Sequence, residues 1–201
     1  LFSMGLLHTI FYFIRKQEKA ALYFGAFCLL FSVRTLVAGN ILLARFADSF
    51  SQEIILKIEY LVIYLGFAMY AGFVNSLFPA TMPRLGWRII LGVSLAESLL
   101  VVMTPARIFS QMLLPYQMFM VLSILGLVYV LAKAALEKNR AALLIALSSL
   151  VGFVCVVNDI LYFYEHARID GLYRIALLVL VFTQATVLLQ RFADAFSEIK
   201  S

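Results

Sequence analysis

Arg34, Glu59, Glu97, Asn158, Asp159 and Arg174 each stand in or at the edge of a stretch of apolar residues. Side chains of these types are the ones in the chain that could do chemistry. Away from water an ionisable group is costly, and it is retained for a structural or functional reason. A guanidinium presents a planar fork of donors and can hold two carboxylates at once. Counted at about 1.5 Å per residue from the ends of their stretches, Arg34 and Glu59 lie roughly 10 Å in, and Asn158 and Asp159 about two helical turns in. Glu97 and Arg174 fall at a similar depth. The expected arrangement is a polar cluster in the outer leaflet, with Arg34 as a buried cation flanked by Glu59 and Asp159. Such a cluster has three competing uses. It can lock helices together through charge-assisted hydrogen bonds, which is the leading reading. It can form a two-state switch or the floor of an extracellular ligand site. It can also carry protons or ions, but a path needs polar steps in the inner half, and that half is nearly free of them.

No other constellation in the sequence carries a reaction. His8 has no Cys, Asp or Glu three or four residues away, and His166 lies beside Glu165 and Asp170 in a polar break, where a solvated residue is expected rather than a pH sensor. Cys28 and Cys155 are far apart and both fall in apolar runs, so they form neither a metal pair nor a redox pair. The last apolar run contains no Lys to anchor a retinal Schiff base, and there is no His-Glu-x-x-His or phosphate-cradling glycine loop. Neither a metal, a cofactor nor catalysis is expected within this segment.

The elements that position these residues follow from composition. Of 201 residues 64% are hydrophobic and 13% charged, and the mean hydropathy is +1.00. A soluble domain carries roughly 25% charged residues, so this chain has too little polar surface to cover a water-soluble globule. A multi-pass membrane protein remains. A bilayer core of about 30 Å requires roughly 20 apolar helical residues. Runs at about 1–14, 20–42, 54–78, 87–104, 109–132, 141–164 and 171–190 meet or approach that length. They are apolar on all faces, which favours helices over the alternating strands of a membrane barrel. Pro79, Pro83 and Pro105 fall in the breaks, while Pro115 is expected to kink the fifth run. A short amphipathic helix is expected near Leu42–Phe50, where Arg45–Ser51 resembles Arg191–Ser197 by chance or shared amphipathic character. The chain starts at Leu1 inside an apolar run without an initiator Met, and is expected to be part of a longer protein.

Orientation follows from the basic residues. With the N-terminus outside, Arg15, Lys16, Lys19, Arg84, Arg88, Lys133, Lys138, Arg140, Arg191 and Lys200 are cytoplasmic, the majority of the 16 Lys and Arg. The net charge of +5 is therefore a membrane-topology signal and does not point to nucleic acid. The many rings, 18 Phe and 10 Tyr, are expected mostly at lipid-facing and interfacial positions, with Trp87 beside Arg88 at the cytoplasmic interface. Beyond the seventh run, Leu189, Phe192, Phe196 and Ile199 recur at spacings of three and four. That is the seam of a coiled coil leaving the membrane, with an amphipathic helix on the membrane surface as the alternative.

Five segments together resemble the bacterial seven-transmembrane receptors with diverse intracellular signalling modules. They are Tyr23-Phe24 after the first basic loop, Ile58-Glu59-Tyr60-Leu61 opening the third span, Phe78-Pro79 closing it, Asn158-Asp159-Ile160-Leu161-Tyr162 in the sixth, and the stretch from Val181 through Gln184 to Phe196. The resemblance implies a sensor in the bacterial cytoplasmic membrane. It implies an extracellular sensing domain before the first span, and a cytoplasmic output module, such as a histidine kinase, diguanylate cyclase or phosphatase, after the last.

The expected fold is thus an all-α, seven-helix transmembrane bundle, N-terminus outside and C-terminus cytoplasmic. Residues 1–190 form the sensor and transducer domain, with a truncated first span, and residues 191–201 begin the linker. Its expected partners are the lipid bilayer, a second copy joined through the C-terminal helix, and the two flanking domains. A small-substrate transporter and a passive membrane anchor are the rival readings. The first predicts inverted repeats that the sequence lacks; the second has no need of charged residues at a shared depth.

Overall fold

A computed structural model describes residues 1–16, 18–38, 52–136, 140–166, 169 and 172–200, the last ten positions (191–200) by their backbone alone. The helices are α1 (Phe2–Ile14), α2 (Lys19–Ala38), α3 (Gln52–Leu77), α4 (Arg84–Met103), α5 (Ala106–Leu136), α6 (Arg140–Phe163) and α7 (Leu172–Lys200). Among the described residues there is no strand. By length and composition α2 to α6 can each cross a bilayer, while α1 and the Arg174–Gln190 part of α7 are apolar but shorter. The chain is therefore a multi-pass membrane protein. The amphipathic segment expected near Leu42–Phe50 lies outside the described residues.

Helix boundaries follow the breaks in the apolar pattern. Pro83 and Pro105 sit in extended conformations at the N-caps of α4 and α5, where a missing N–H costs least. Pro115 acts less by kinking than by setting the turn before it. The first turn of α5 gives way to a 3-10 turn at Ser110–Met112 before the α-helix resumes at Leu113. A proline cannot accept the preceding turn in α geometry, because its ring meets the carbonyl four residues earlier.

The chain divides into two compact units, Leu1–Met118 and Phe119–Ser201. In the first, α2 packs against α1 and α3, α3 packs against α4, and the start of α5 returns onto α3 and α4. Small residues allow the closest approach. A Cβ on Gly25 would meet the Thr9 backbone nitrogen at 2.9 Å and the Gly5 carbonyl oxygen at 3.0 Å, so α1 and α2 touch backbone to backbone. In the second unit α6 packs against α7, with Gly152 against Leu180.

In the first unit the aromatic residues of α3 and many of α2 sort inward, against the expectation that rings are mostly lipid-facing and interfacial, while Phe2 and Phe13 of α1 are exposed. Phe24, Phe27, Tyr60, Tyr64, Phe67, Tyr70, Phe73, Phe109 and Tyr116 are buried, while Leu95, Leu99, Val102 and Met103 of α4 are exposed. The reason is that lipid tails offer Leu the same environment a core would, so burial confers no hydrophobic gain. Close packing of flat rings still gains van der Waals contact and favourable ring–ring electrostatics. Phe24 stands edge-on to His8 at 4.8 Å and lies 5.8 Å from Phe73, and Tyr64 lies 4.2 Å from Tyr116 between ring centres.

Candidate functional site

The most developed polar site is in the first unit and is built from α3, α4 and the start of α5. Tyr64 sits at the midpoint of α3 and Ser94 at that of α4, so the site lies near mid-membrane depth. The Ser94 and Tyr116 hydroxyls are 3.1 Å apart, and the Tyr116 hydroxyl is 3.4 Å from the Tyr64 carbonyl oxygen. A carbonyl can only accept, so Tyr116 donates to Tyr64 and Ser94 in turn donates to Tyr116. Ser98 donates to the Ser94 carbonyl oxygen at 2.7 Å. The result is a directed chain of hydroxyls joining three helices, all of it buried.

Two polar atoms at this site have no partner among the described residues: the Tyr64 hydroxyl, on a fully buried side chain, and Glu97 Oε2. Glu97 lies within electrostatic reach of both Tyr64 and Tyr116. Rings close the site, with Tyr60 5.1 Å from Phe109 and 6.0 Å from Tyr64. A buried group without a partner loses water and gains nothing in return. The site therefore has room in its bonding for a second arrangement.

The charged residues singled out in the sequence divide between the units. Arg34 on α2, Glu59 on α3 and Glu97 on α4 belong to the first unit, where all three are half-buried. Among the described residues no hydrogen bond or ion pair is made by Glu59, whereas its neighbour Lys57 pairs with Glu53 at 3.3 Å along α3. Asn158, Asp159 and Arg174 belong to the second unit. Asn158 donates to the Ile169 carbonyl oxygen at 2.9 Å and to Asp159 at 3.2 Å. It thus ties the end of α6 to the loop that follows. Arg174 is exposed near the start of α7.

Helix α7 runs without interruption from Leu172 to Lys200. Val181, Gln184, Ala185 and Leu188 form its buried stripe, while Leu189, expected to open the seam, is 59% exposed. Gln184 is fully buried, and neither end of its amide has a partner among the described residues. Among the described residues no three His, Cys, Asp or Glu side chains converge as metal ligands would. His8 is also buried, its Nδ1 donating to the Met4 carbonyl oxygen at 2.9 Å.

A family model described as 7TM diverse intracellular signalling matches residues 1–193 of the chain. The chain belongs to that family. Membership of this signalling family, together with the apolar helices, points to a transmembrane sensory receptor domain in contact with the lipid bilayer. No curated protein and no solved structure matches the chain.

No member of the hydroxyl chain is charged, so residue type alone does not mark it in the sequence. Tyr60 and Tyr64 are four residues apart, as are Ser94 and Ser98, so each pair shares a helix face. That spacing was the available signal.

Proposed function

We propose that the chain is the sensor and transducer domain of a bacterial receptor, crossing the cytoplasmic membrane seven times with its N-terminus outside. A signal from an extracellular domain shifts helix packing, and α7 passes the shift to a cytoplasmic output module. The segment itself relays and does not catalyse. The observation that carries this reading, beside the family, is the continuity of α7. At 29 residues and about 1.5 Å each, it is roughly 43 Å long and outreaches a hydrocarbon core of about 30 Å. A rotation or shift at its membrane end is therefore transmitted rigidly to its far end.

A transducer needs two discrete states that the signal biases differently. In our reading the hydroxyl chain supplies one bonding pattern. A second, in which Glu97 accepts from the Tyr64 hydroxyl, satisfies the two open atoms through a small rotation of α4 against α3. The polar residues, Arg34 and Glu59 in the first unit and Asn158, Asp159 and Arg174 in the second, hold the helices of their own unit at the outer end or receive the signal from the extracellular domain. Two copies meet along α7 through Leu189, Phe192, Phe196 and Ile199.

Single cysteines placed along residues 186–201 in native membranes, with Cys28 and Cys155 replaced, test the reading. Disulfides that recur every three or four positions through Phe192, Phe196 and Ile199 are expected, and their yield should change with signal. Crosslinking without periodicity would leave α7 as a monomeric anchor and remove the relay.

A further inference from the structure

We infer that a pocket at one end of the first unit binds a phospholipid headgroup carrying both a phosphate and a primary ammonium. The pocket has a volume of about 370 Å³, and its walls include Glu18, Lys19, Tyr23, Asn75, Ser76 and Trp87. It lies where α2 begins, α3 ends and α4 begins, the level at which a bilayer places its headgroups. This inference does not depend on the receptor reading.

Three features select the ligand. The first is charge of both signs in one small space. Glu18 and Lys19 both line the pocket, yet they form no ion pair with each other. A ligand with one anionic and one cationic group satisfies both, whereas a simple anion would meet the Glu18 carboxylate. The second is the set of donors. Lys19, Asn75 and Trp87 all line the same space, and phosphate oxygens accept from an ammonium, an amide and an indole N–H alike. Arg15 and Lys16, between α1 and α2, and Arg84 and Arg88, in the first two turns of α4, add a positive field that favours a phosphate.

The third feature is the aromatic wall. Tyr23 and Trp87 stand edge-to-face at 5.7 Å. Gly72 makes that fit, since a Cβ there would come within 2.7 Å of Tyr23 and 2.9 Å of Trp87. Aromatic faces attract an ammonium, and Trp and Tyr favour the interface because one end of each is apolar and the other wet. On the neighbouring turns of α4, Leu85 and Ile89 are exposed and offer acyl chains a path down from the headgroup. These features describe a zwitterionic headgroup, and the Glu18 carboxylate, which accepts hydrogen bonds from a primary ammonium but finds no N–H on a quaternary one, selects phosphatidylethanolamine over phosphatidylcholine. The same phosphoethanolamine chemistry could reach the pocket as a free, water-soluble compound, and the apolar path favours the lipid.

Trp87 is the single Trp of the chain and lines the pocket, so its fluorescence reports occupancy directly. The full chain is placed in phosphatidylcholine nanodiscs, and a growing minor fraction of the lipid is replaced by phosphatidylethanolamine or by phosphatidylglycerol. A saturable change in Trp87 emission is expected with phosphatidylethanolamine, and a weaker one with phosphatidylglycerol. Lys19→Ala should weaken both responses about tenfold, as for loss of one charge-assisted bond. Glu18→Gln should make the two lipids equivalent, with helicity by circular dichroism confirming that both variants fold. Glycerophosphoethanolamine added to the phosphatidylcholine discs should leave the emission unchanged. Emission indifferent to headgroup, a wild-type preference for phosphatidylethanolamine in Glu18→Gln, or full reproduction by the soluble compound would each overturn the inference.

Discussion

The hydroxyl oxygens of Ser94 and Tyr116 lie 3.1 Å apart in a fully buried contact that joins α4 to α5. Neither group can turn to water: Ser94 donates to Tyr116, which in turn donates to the Tyr64 carbonyl oxygen at 3.4 Å. Hydrogen bonds between helices in a membrane are worth about 0.6 kcal/mol on average and up to about 1.7 kcal/mol. Tyr116→Phe and Ser94→Ala are each expected to destabilise the fold by about 1 kcal/mol. The double variant should cost distinctly less than the sum. Unfolding in mixed micelles, analysed as a double-mutant cycle, checks the coupling. Strict additivity would mean that ring packing alone holds α5 in place.

Much of the helix pattern is legible without coordinates, because the signals that set it are local. A run of apolar residues on all faces, a proline such as Pro83 or Pro105 just before a helix, and a basic cluster such as Arg15–Lys16 each mark a boundary by themselves. The interior is less legible for a reason particular to membranes. In water, hydrophobicity tells Phe24 from a surface residue; in lipid both environments are apolar, so the period of the buried face vanishes from the composition. Phe24, Phe73 and Tyr64 consequently look no different from lipid-facing rings such as Tyr129, which is exposed. The charged residues are conspicuous in the sequence, but the buried site in the first unit rests mainly on hydroxyls that meet only once α3, α4 and α5 have packed.

The end of α6 shows a stop that composition hides. His166 N–H bonds to the Leu161 carbonyl oxygen at 2.8 Å, and Glu165 N–H to that of Tyr162 at 2.9 Å. These are the two bonds of a Schellman motif, whose turning residue is usually glycine. Here it is Glu165, held at φ 62°, a conformation that costs a residue with a Cβ roughly 1 kcal/mol. Glu165→Gly is therefore expected to stabilise the α6–α7 hairpin by up to about 1 kcal/mol, offset in part by the greater freedom of an unfolded glycine. Slower amide exchange at Tyr164 to His166 would report it. A loss of stability would instead assign the Glu165 carboxylate a contact that outweighs the strain.

Tyr64 separates a structural role from a signalling one. Its ring is fully buried beside Tyr116, whereas its hydroxyl has no partner. Tyr64→Phe keeps the ring contacts and the carbonyl that accepts from Tyr116, and removes only the stranded hydroxyl. Relief of an unsatisfied buried donor is worth about 1–3 kcal/mol, so the variant should be at least as stable as the parent. If the hydroxyl serves Glu97 in the second state, the same change removes a stabilising bond from that state alone. A bond of about 1.4 kcal/mol shifts a two-state equilibrium roughly tenfold. Tyr64→Phe is thus expected to combine unchanged or raised stability with signalling output displaced about tenfold in one direction, and Glu97→Ala should displace it the same way. Unfolding measurements and output assays on the same two variants decide the matter. Raised stability with normal output would make the Tyr64 hydroxyl a tolerated cost of packing, and lowered stability would mean that it has a partner, such as a bound water, in the membrane.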